Sequence, residues 1–445
     1  MVTVLIPLLI AAGLAVGRMH ATSAEEILPF RFTEYRLENG LRVILIPRPG
    51  GGLMTYYSIV RTGSRDEVEE GTTGFAHFFE HMMFRGSKNF PAARYDSMIT
   101  TMGANANAYT TDDYTAYHLS FASEDLETVV MLESDRFQFL AYDEEAFQTE
   151  AAAVYGEYRK GRSDPWESLS EALHRTAYDQ HTYRHTTIGF EADIKTMPGL
   201  FEYSKEFYQR HYRPENTVLL LTGDFDPEEA RSLIDTYYGS WPSGYVEPAI
   251  PAEPEQRQRR RVDVTYDGQT QPLLAVAWMG EALKPSSKRM AAGHMLGEWL
   301  FGEGSALYKK LVLKEQKVRH LAVDFGLNRD PGLWSVMASV KDKRDIRYVL
   351  SEIEKTVALS IQTAPAKEDL TRLKRRLRYS FLMELDTPDH IAANLARYAG
   401  ITGGIDAVEQ LFACYADVTA TDLRDAASAL LGKERSTIAV LTGRR

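Results

Sequence analysis

The stretch Gly74-Phe-Ala-His-Phe-Phe-Glu-His-Met-Met-Phe84 carries the most specific pattern in this sequence of 445 residues. It places His77, Glu80 and His81 in the order H-x-x-E-H, and on a helix these positions share one face. Two imidazoles one turn apart can bind a zinc ion, and the carboxylate between them can reach a water molecule on the metal. Apolar residues flank the three side chains. We therefore expect a half-buried site, which suits a catalytic metal better than a loose surface ion.

A catalytic zinc ion keeps three protein ligands and one open position, so a third ligand is needed. The best source is Glu144-Glu-Ala-Phe-Gln-Thr-Glu-Ala-Ala-Ala-Val-Tyr-Gly-Glu-Tyr-Arg-Lys160, which lacks proline, is rich in Ala and Glu, and is predicted to be helical. Glu150 and Glu157 lie two turns apart on one face of this helix. One could bind the metal while the other holds a ligand histidine, and the spacing alone does not decide between them.

The two motifs together resemble a known family. H-x-x-E-H followed by E-x(6)-E is similar to the pitrilysin, insulysin and mitochondrial-processing-peptidase family of zinc metallopeptidases, in which the motif has this inverted order. The resemblance runs from about Phe32 to the C-terminus. It is carried further by four segments, Leu37-Glu-Asn-Gly-Leu-Arg-Val43, Gly103-Ala-Asn-Ala-Asn-Ala-Tyr-Thr110, His181-Thr-Tyr-Arg-His-Thr-Thr-Ile-Gly189 and Tyr212-Arg-Pro-Glu-Asn216.

The resemblance implies one zinc ion per chain, bound by His77, His81 and Glu157, with Glu80 as the general base and Glu150 behind the ligands. It implies an endopeptidase that hydrolyses peptides or unfolded segments with metal-activated water and without a covalent intermediate. Substrate is expected to extend along an edge strand, where backbone hydrogen bonds provide affinity. The implied substrate contacts are Asn105, Asn107, Ala108 and Tyr109, although for the two asparagines simple turn chemistry is an equal alternative.

One departure from the family pattern lies in the second half of the chain. Self-sufficient members carry an Arg and a Tyr there, which help to bind substrate and stabilise the oxyanion. In the matching stretch, Leu311-Val-Leu-Lys-Glu-Gln-Lys-Val-Arg319, Val312 stands where Arg is expected and Arg319 where Tyr is expected. A homologous Arg/Tyr-bearing subunit in a heterodimer is the favoured explanation. Alternatively, Arg319 itself substitutes, and the chain works alone or as a homodimer.

The length of the chain and a short internal sequence repeat predict two domains. Asn216-Thr-Val-Leu-Leu-Leu-Thr-Gly223 and Ser436-Thr-Ile-Ala-Val-Leu-Thr-Gly443 share the pattern x-T-x-x-x-L-T-G, and each is predicted to be a buried strand that closes its half. We expect a zinc-binding peptidase domain over 30–242, a proline-containing linker over 243–262 and a homologous domain without a zinc site over 263–445. The fold class is α+β, and the resemblance implies two similar α/β domains, each with a largely antiparallel sheet covered by helices.

The N-terminal segment predicts export. Residues 1–24 contain an apolar run, too short for a comfortable membrane span, followed by small residues, as in a secretory signal peptide. A periplasmic or secreted protein is expected, and the single cysteine, Cys414, fits that or a reducing compartment. The net charge of −11 argues against nucleic acid as a partner.

Two other functions compete with the endopeptidase. The chain could be a non-catalytic scaffold subunit of the same family, although a scaffold has no reason to keep a metal site. It could also be a zinc hydrolase for a non-peptide substrate, because a fold does not dictate a substrate. The remaining histidines of interest, His118, His181 and His185, are predicted to pack in a strand or loop rather than to form a second metal site.

Overall fold

Two β-sheets covered by helices make up the part of the chain that the computed structural model describes, residues 18–20 and 26–444. Most of the predicted signal segment, 1–24, lies outside the described residues. The strands are β1 (Arg18–His20), β2 (Phe32–Arg36), β3 (Arg42–Pro47), β4 (Leu53–Val60), β5 (Asn105–Thr110), β6 (Thr115–Ala122), β7 (Thr217–Gly223), β8 (Arg260–Tyr266), β9 (Leu273–Met279), β10 (Val318–Asp324), β11 (Leu333–Val340) and β12 (Ser436–Gly443).

The helices lie between these strands, with five in succession between β6 and β7 and five more between β11 and β12. They are α1 (Phe75–Met82), α2 (Ala92–Met102), α3 (Leu126–Phe139), α4 (Glu144–Gly161), α5 (Pro165–Ala177), α6 (Glu191–Thr196), α7 (Phe201–His211), α8 (Pro227–Tyr238), α9 (Lys288–Phe301), α10 (Ala306–Tyr308), α11 (Ile346–Gln362), α12 (Lys367–Met383), α13 (Pro388–Thr402), α14 (Asp406–Asp417) and α15 (Ala420–Leu430). A π-helix (Lys309–Lys314) continues α10. Among the described helices, none combines the length and the apolar character needed to cross a bilayer.

The two sheets repeat one topology. The first runs β1-β2-β3-β7-β4-β6-β5 and the second runs β10-β11-β9-β12-β8. Apart from β1 and β2, each sheet takes its strands in the same chain order, first-fifth-second-fourth-third. Only the β3–β7 and β8–β12 pairs are parallel among the pairs of the described strands. The predicted fold class is thus confirmed, and β7 and β12, the two x-T-x-x-x-L-T-G strands, occupy equivalent places.

The interior strands are buried along most of their length because both faces of each sheet are covered. On the first sheet, Leu219 and Leu221 of β7 face the helices of the first half, while Val218 and Leu220 face the opposite way. On the second sheet, β9 alternates in the same manner between two separate core clusters. The linker predicted for 243–262 is extended until β8 begins at Arg260.

Each half of the chain covers one face of the other half's sheet. Helix α13, from the second half, lies on β4 and β7 of the first sheet, and Arg61 binds the backbone carbonyl oxygens of Gly400 and Ile401 near its end. Helix α5, from the first half, lies on β8, β9 and β12 of the second sheet. Its Leu169 and Leu173 pack there in a shared apolar cluster. Neither sheet is therefore enclosed by its own half alone.

We expect Leu395→Ala, a cavity in α13, to destabilise the first sheet although the residue belongs to the second half. Leu395 is fully buried in the cluster that contains Ile44 and Ile59, so its truncation should cost about 2–5 kcal/mol. Amide hydrogen exchange in β4 and β7 should accelerate accordingly. The exposed Leu359 offers a matched control, and Leu359→Ala should change stability by less than about 0.5 kcal/mol. Unchanged exchange in β4 with Leu395→Ala would contradict the reciprocal packing.

Candidate metal centre

The helix that carries the H-x-x-E-H motif begins at a glycine that no other residue could replace easily. Gly74 has a φ of 95°, and a Cβ atom there would lie 2.6 Å from the carbonyl oxygen of Ile188. The buried carboxylate of Glu67 accepts hydrogen bonds of 2.7 Å from the backbone N–H groups of Gly74 and Ala76. Burial raises the pKa of Glu67, and the two backbone hydrogen bonds oppose that shift. The start of α1 is thereby fixed by a group that the sequence analysis did not single out.

The position of α1 relative to α4 is set by aromatic packing. The buried face of α1 includes Phe75, Phe78 and Phe79. Phe78 meets Phe147 of α4 edge to face, with their ring centroids 5.0 Å apart. Helix α4 begins after Asp143, whose carboxylate accepts from the backbone N–H of Ala146 at 2.8 Å. The apolar side of each helix is thus held in the core, and the polar side of α1 faces the acidic residues of α4.

Three potential ligand atoms converge between α1 and α4. The Nε2 atoms of His77 and His81 lie 3.5 and 3.4 Å from Oε2 of Glu157, and all three ligand atoms lie within 4.8 Å of one another. Ligands about 2.1 Å from a tetrahedral zinc ion are about 3.4 Å apart, so both distances fit one ion. In the described residues, this is the one group of three His, Cys, Asp or Glu side chains placed in this way.

The protonation state of His77 suits a ligand. Burial, with a smaller contribution from neighbouring His81, lowers the pKa of His77 to about 4. The imidazole is therefore neutral at pH 7 and keeps a lone pair for a metal, as ligation requires. Two imidazoles and one carboxylate form a donor set that zinc accepts, so these residues fit the ion chemically as well as geometrically.

Glu150 and Glu157 have distinct environments, which the spacing in the sequence could not reveal. Glu150 is buried and lies 3.1 Å from Nδ1 of His81, so this ring can donate there and present Nε2 to the ligand group. Arg85 contacts the same carboxylate. Glu157 is half-exposed and approaches both histidines. The arrangement thus favours Glu157 as the ligand and Glu150 as the group that orients His81.

Glu80 points from the same helix toward strand β5. Its Oε2 atom accepts a 2.7 Å hydrogen bond from the hydroxyl of Thr110, the last residue of that strand. Burial raises the pKa of Glu80, and the hydrogen bond from Thr110 opposes the shift. Thr110 belongs to one of the segments that resemble the family, and the resemblance implies no role for it. The alternation of β5 was the available signal, because Ala106, Ala108 and Thr110 share the side that faces α1.

Strand β5 is a free edge of the first sheet, since among the described strands it pairs with β6 alone. Asn105 and Asn107 are exposed, and Oδ1 of Asn107 accepts from the backbone N–H of Ala108 at 2.9 Å. The side chain of Ala108 is buried, and that of Tyr109 packs against the rings of Tyr114 and His118. Of the four predicted substrate contacts, Ala108 and Tyr109 can therefore reach a substrate mainly through their backbone.

The second domain lacks an equivalent centre. Its α9 follows β9 as α1 follows β4, but the partly buried His294 contacts the hydroxyl of Tyr415 and packs on Phe325. Val312 packs against the core of its own domain, and Arg319 is exposed on β10, an edge strand.

The other histidines lie elsewhere. His118 stacks on Tyr57. His181 Nε2 lies 3.2 Å from a carboxylate oxygen of Asp330, and His185 Nδ1 lies 3.8 Å from one of Glu67. None of the three joins the metal-ligand group found in residues 18–20 and 26–444.

Comparisons with known proteins agree with this architecture. The family described as Insulinase (Peptidase family M16) matches residues 53–190, and the Peptidase M16 inactive domain matches residues 201–377. The zinc protease PqqE of Helicobacter pylori is 28% identical over 393 residues, which cover 85% of each chain. The mitochondrial-processing peptidase subunit beta of Bos taurus is 28% identical over 396 residues, which cover 86% of this chain and 79% of that protein.

Solved structures share the fold. A protease from Helicobacter pylori superimposes with a TM-score of 0.85 at 24% identity, covering 93% of this chain and 99% of that one. The periplasmic protease PqqL of Escherichia coli gives a TM-score of 0.77 at 18% identity, covering 96% of this chain and 48% of that one. The motif-bearing first half matches the insulinase model, the second half matches the inactive-domain model, and the relatives are peptidases. The chain therefore belongs to the M16 family of peptidases.

Proposed function

We propose that this protein is a zinc-dependent endopeptidase. The observation that carries the proposal is the convergence of His77, His81 and Glu157 beside the carboxylate of Glu80. Membership in a peptidase family supports hydrolysis of peptide bonds, and the relative named as a zinc protease supports zinc as the metal.

Each residue has a role that follows from its position. His77, His81 and Glu157 hold one zinc ion, and Glu150 fixes the ring of His81 through Nδ1. When bound, the ion would polarise the scissile carbonyl and make water easier to deprotonate. Glu80 takes the proton from the attacking water and delivers it to the departing amine. Its raised pKa favours both transfers, because a base works best when its pKa approaches the working pH.

Substrate is proposed to bind as an added strand along β5. The free edge of that strand offers backbone donors and acceptors, and Thr110 at its end contacts Glu80. Backbone contacts at Ala108 and Tyr109 and side-chain contacts at Asn105 and Asn107 would hold an extended peptide with loose sequence preference.

A homologous partner subunit is proposed to complete the site. Val312 and Arg319 leave this chain without the Arg and Tyr that self-sufficient members of the family carry, and the mitochondrial relatives are themselves named as a subunit. A heterodimer is the favoured assembly, and a homodimer in which Arg319 substitutes is the alternative. A periplasmic or secreted location is proposed from residues 1–24, and the periplasmic PqqL agrees with it.

The scaffold subunit and the non-peptide hydrolase remain the competing functions. A scaffold would not need the ligand atoms of two helices brought within 4.8 Å of one another. A hydrolase of small molecules would not need an unpaired edge strand beside its base. The three experiments that follow separate these functions.

The first experiment removes the base. Glu80→Gln should lower cleavage of a quenched fluorescent peptide library at least about a hundredfold, because an amide cannot accept the proton. Zinc content, measured by atomic absorption, should remain one ion per chain. Glu145→Gln, at an exposed position on α4, is the matched control and should cleave like wild type. Full cleavage by Glu80→Gln would refute the assigned base, and wild type without zinc would favour the scaffold.

The second experiment separates the two glutamates of α4. Glu157→Gln should abolish stoichiometric zinc binding, whereas Glu150→Gln should weaken zinc affinity by about 10–100-fold, the usual effect of removing a group that orients a ligand. Isothermal titration of the zinc-free variants measures both constants. If Glu150→Gln abolished zinc binding and Glu157→Gln only weakened it, Glu150 would be the ligand and Glu157 the orienting group.

The third experiment tests completion by a partner. The zinc-loaded chain alone should be a poor peptidase, and a homologous subunit carrying Arg and Tyr should raise kcat/KM by about a hundredfold or more. The same subunit with both residues replaced by Ala serves as the control. Rapid cleavage by the chain alone, lost in Arg319→Ala, would instead assign the helper role to Arg319.

A further inference from the structure

The turn between β5 and β6 is held by the second domain. The buried carboxylate of Asp113, in this turn, accepts three hydrogen bonds. One of 2.5 Å comes from the hydroxyl of Tyr183. The other two come from the side-chain amide of Asn328 and the backbone N–H of Arg329, at 3.0 and 3.1 Å. Asn328 and Arg329 lie between β10 and β11, so a loop of the second domain reaches the end of the substrate edge strand.

The same loop holds the segment that leads to α1. Asp330 accepts from Nε of Arg65 at 2.5 Å and lies 3.2 Å from Nε2 of His181. The backbone N–H of Arg65 donates in turn to the carbonyl oxygen of Asp112 at 2.8 Å. Gly63 allows this close approach, because a Cβ atom there would lie 2.4 Å from the carbonyl oxygen of Thr111. Loop 328–330, the turn 111–114 and the segment 63–66 thus form one hydrogen-bonded junction.

This junction bears on the general base through one residue. Thr110 directly precedes the turn, and its hydroxyl donates to Glu80. A threonine side chain is stiff at χ1, so the backbone at residue 110 sets the direction of the hydroxyl. Strand β5 is paired on one side only, so its end has no second strand to hold it. The three hydrogen bonds to Asp113, which we call the clamp, hold this end of the strand instead.

We propose that Thr110 is a positioning residue for Glu80, and that loop 328–330 of the second domain keeps it in place through Asp113. The proposal rests on the function proposed above for Glu80. The Thr110 hydroxyl fixes one carboxylate oxygen of Glu80. A displacement of the second domain would break its hydrogen bonds to Asp113. The turn, the end of β5 and then the Glu80 carboxylate would lose their fixed positions, so the position of the second domain controls that of Glu80.

The kinetic test uses the zinc-loaded chain, assembled with its partner subunit where one is required. Thr110→Val removes the hydroxyl and preserves the shape of the side chain. It should lower kcat about tenfold with little change in KM or zinc content, as expected for a lost hydrogen bond to a charged group. Thr110→Ser retains the hydroxyl and should restore most of kcat. Equal kcat in wild type and Thr110→Val would overturn the proposal.

The clamp is tested by amide hydrogen exchange, which does not depend on activity. Asn328→Ala should accelerate exchange in residues 105–115 and leave α4 unchanged. Tyr183→Phe, which keeps the ring, should have the same effect more weakly and serves if Asn328→Ala does not fold. The matched control is Tyr266→Phe, which removes another interdomain hydrogen bond, to the carbonyl oxygen of Ser163, outside the junction. Unchanged exchange in 105–115 for both clamp variants would refute the clamp.

These readouts separate failure of this proposal from failure of the proposed function. If the wild type cleaves no peptide, the endopeptidase assignment fails, and crystal structures of wild type and Thr110→Val then decide the role of Thr110. A Glu80 carboxylate that turns away from β5 in Thr110→Val supports the positioning role, and one that stays in place overturns it.

Discussion

Everything in this chain depends on the reciprocal burial of its two sheets. Each sheet is apolar on both faces, and its own half supplies helices for only one of them. Helix α13 covers the first sheet and α5 covers the second, so the hydrophobic free energy that closes either half is available only when both are present. The mutual position of the halves is set by the two exchanged helices and by the polar junction around Asp113 and Asp330. The linker that joins the halves also contributes, because its Glu247 pairs with both Arg65 and Arg329.

The candidate metal centre is built on elements that this packing holds in fixed positions. Its ligand atoms come from α1 and α4, and the spacing between them follows from the packing of Phe78 on Phe147 and from the Glu67 carboxylate at the start of α1. Glu80, the proposed base, is held by a strand whose end contacts a loop of the second domain. A catalytic arrangement requires tolerances of a fraction of an ångström, and side chains on helices and strands achieve this more readily than those on loops. The second half thus contributes to the site, although in the part of the chain that the structure describes none of its side chains belongs to the ligand group.

Local pattern was sufficient to predict the elements but not their long-range contacts. The H-x-x-E-H spacing, the Ala- and Glu-rich helix and the twin x-T-x-x-x-L-T-G strands depend on neighbours within a few turns, so they could be read directly. Which of Glu150 and Glu157 is the candidate ligand depends on which of them is buried. Their spacing along the helix does not show this. Glu67 acts across 7 and 9 residues through two hydrogen bonds, and Thr110 acts across 30 residues through one. Such contacts produce no periodic pattern in the sequence. The exchanged helices α5 and α13 have the same kind of amphipathic pattern as other helices, so the sequence does not show which sheet they cover.

The exchange of helices has a consequence for biosynthesis. A ribosome releases β7, the last strand of the first sheet, long before it reaches α13, which begins at Pro388. At a synthesis rate of about 5–20 residues per second, the face of that sheet that α13 covers stays exposed for on the order of 10 s or more. During this interval a surface that includes Ile44, Ile59 and Leu220 is open to aggregation or to chaperones. The nascent chain therefore cannot complete its first domain before its second, and folding becomes a late, whole-chain event.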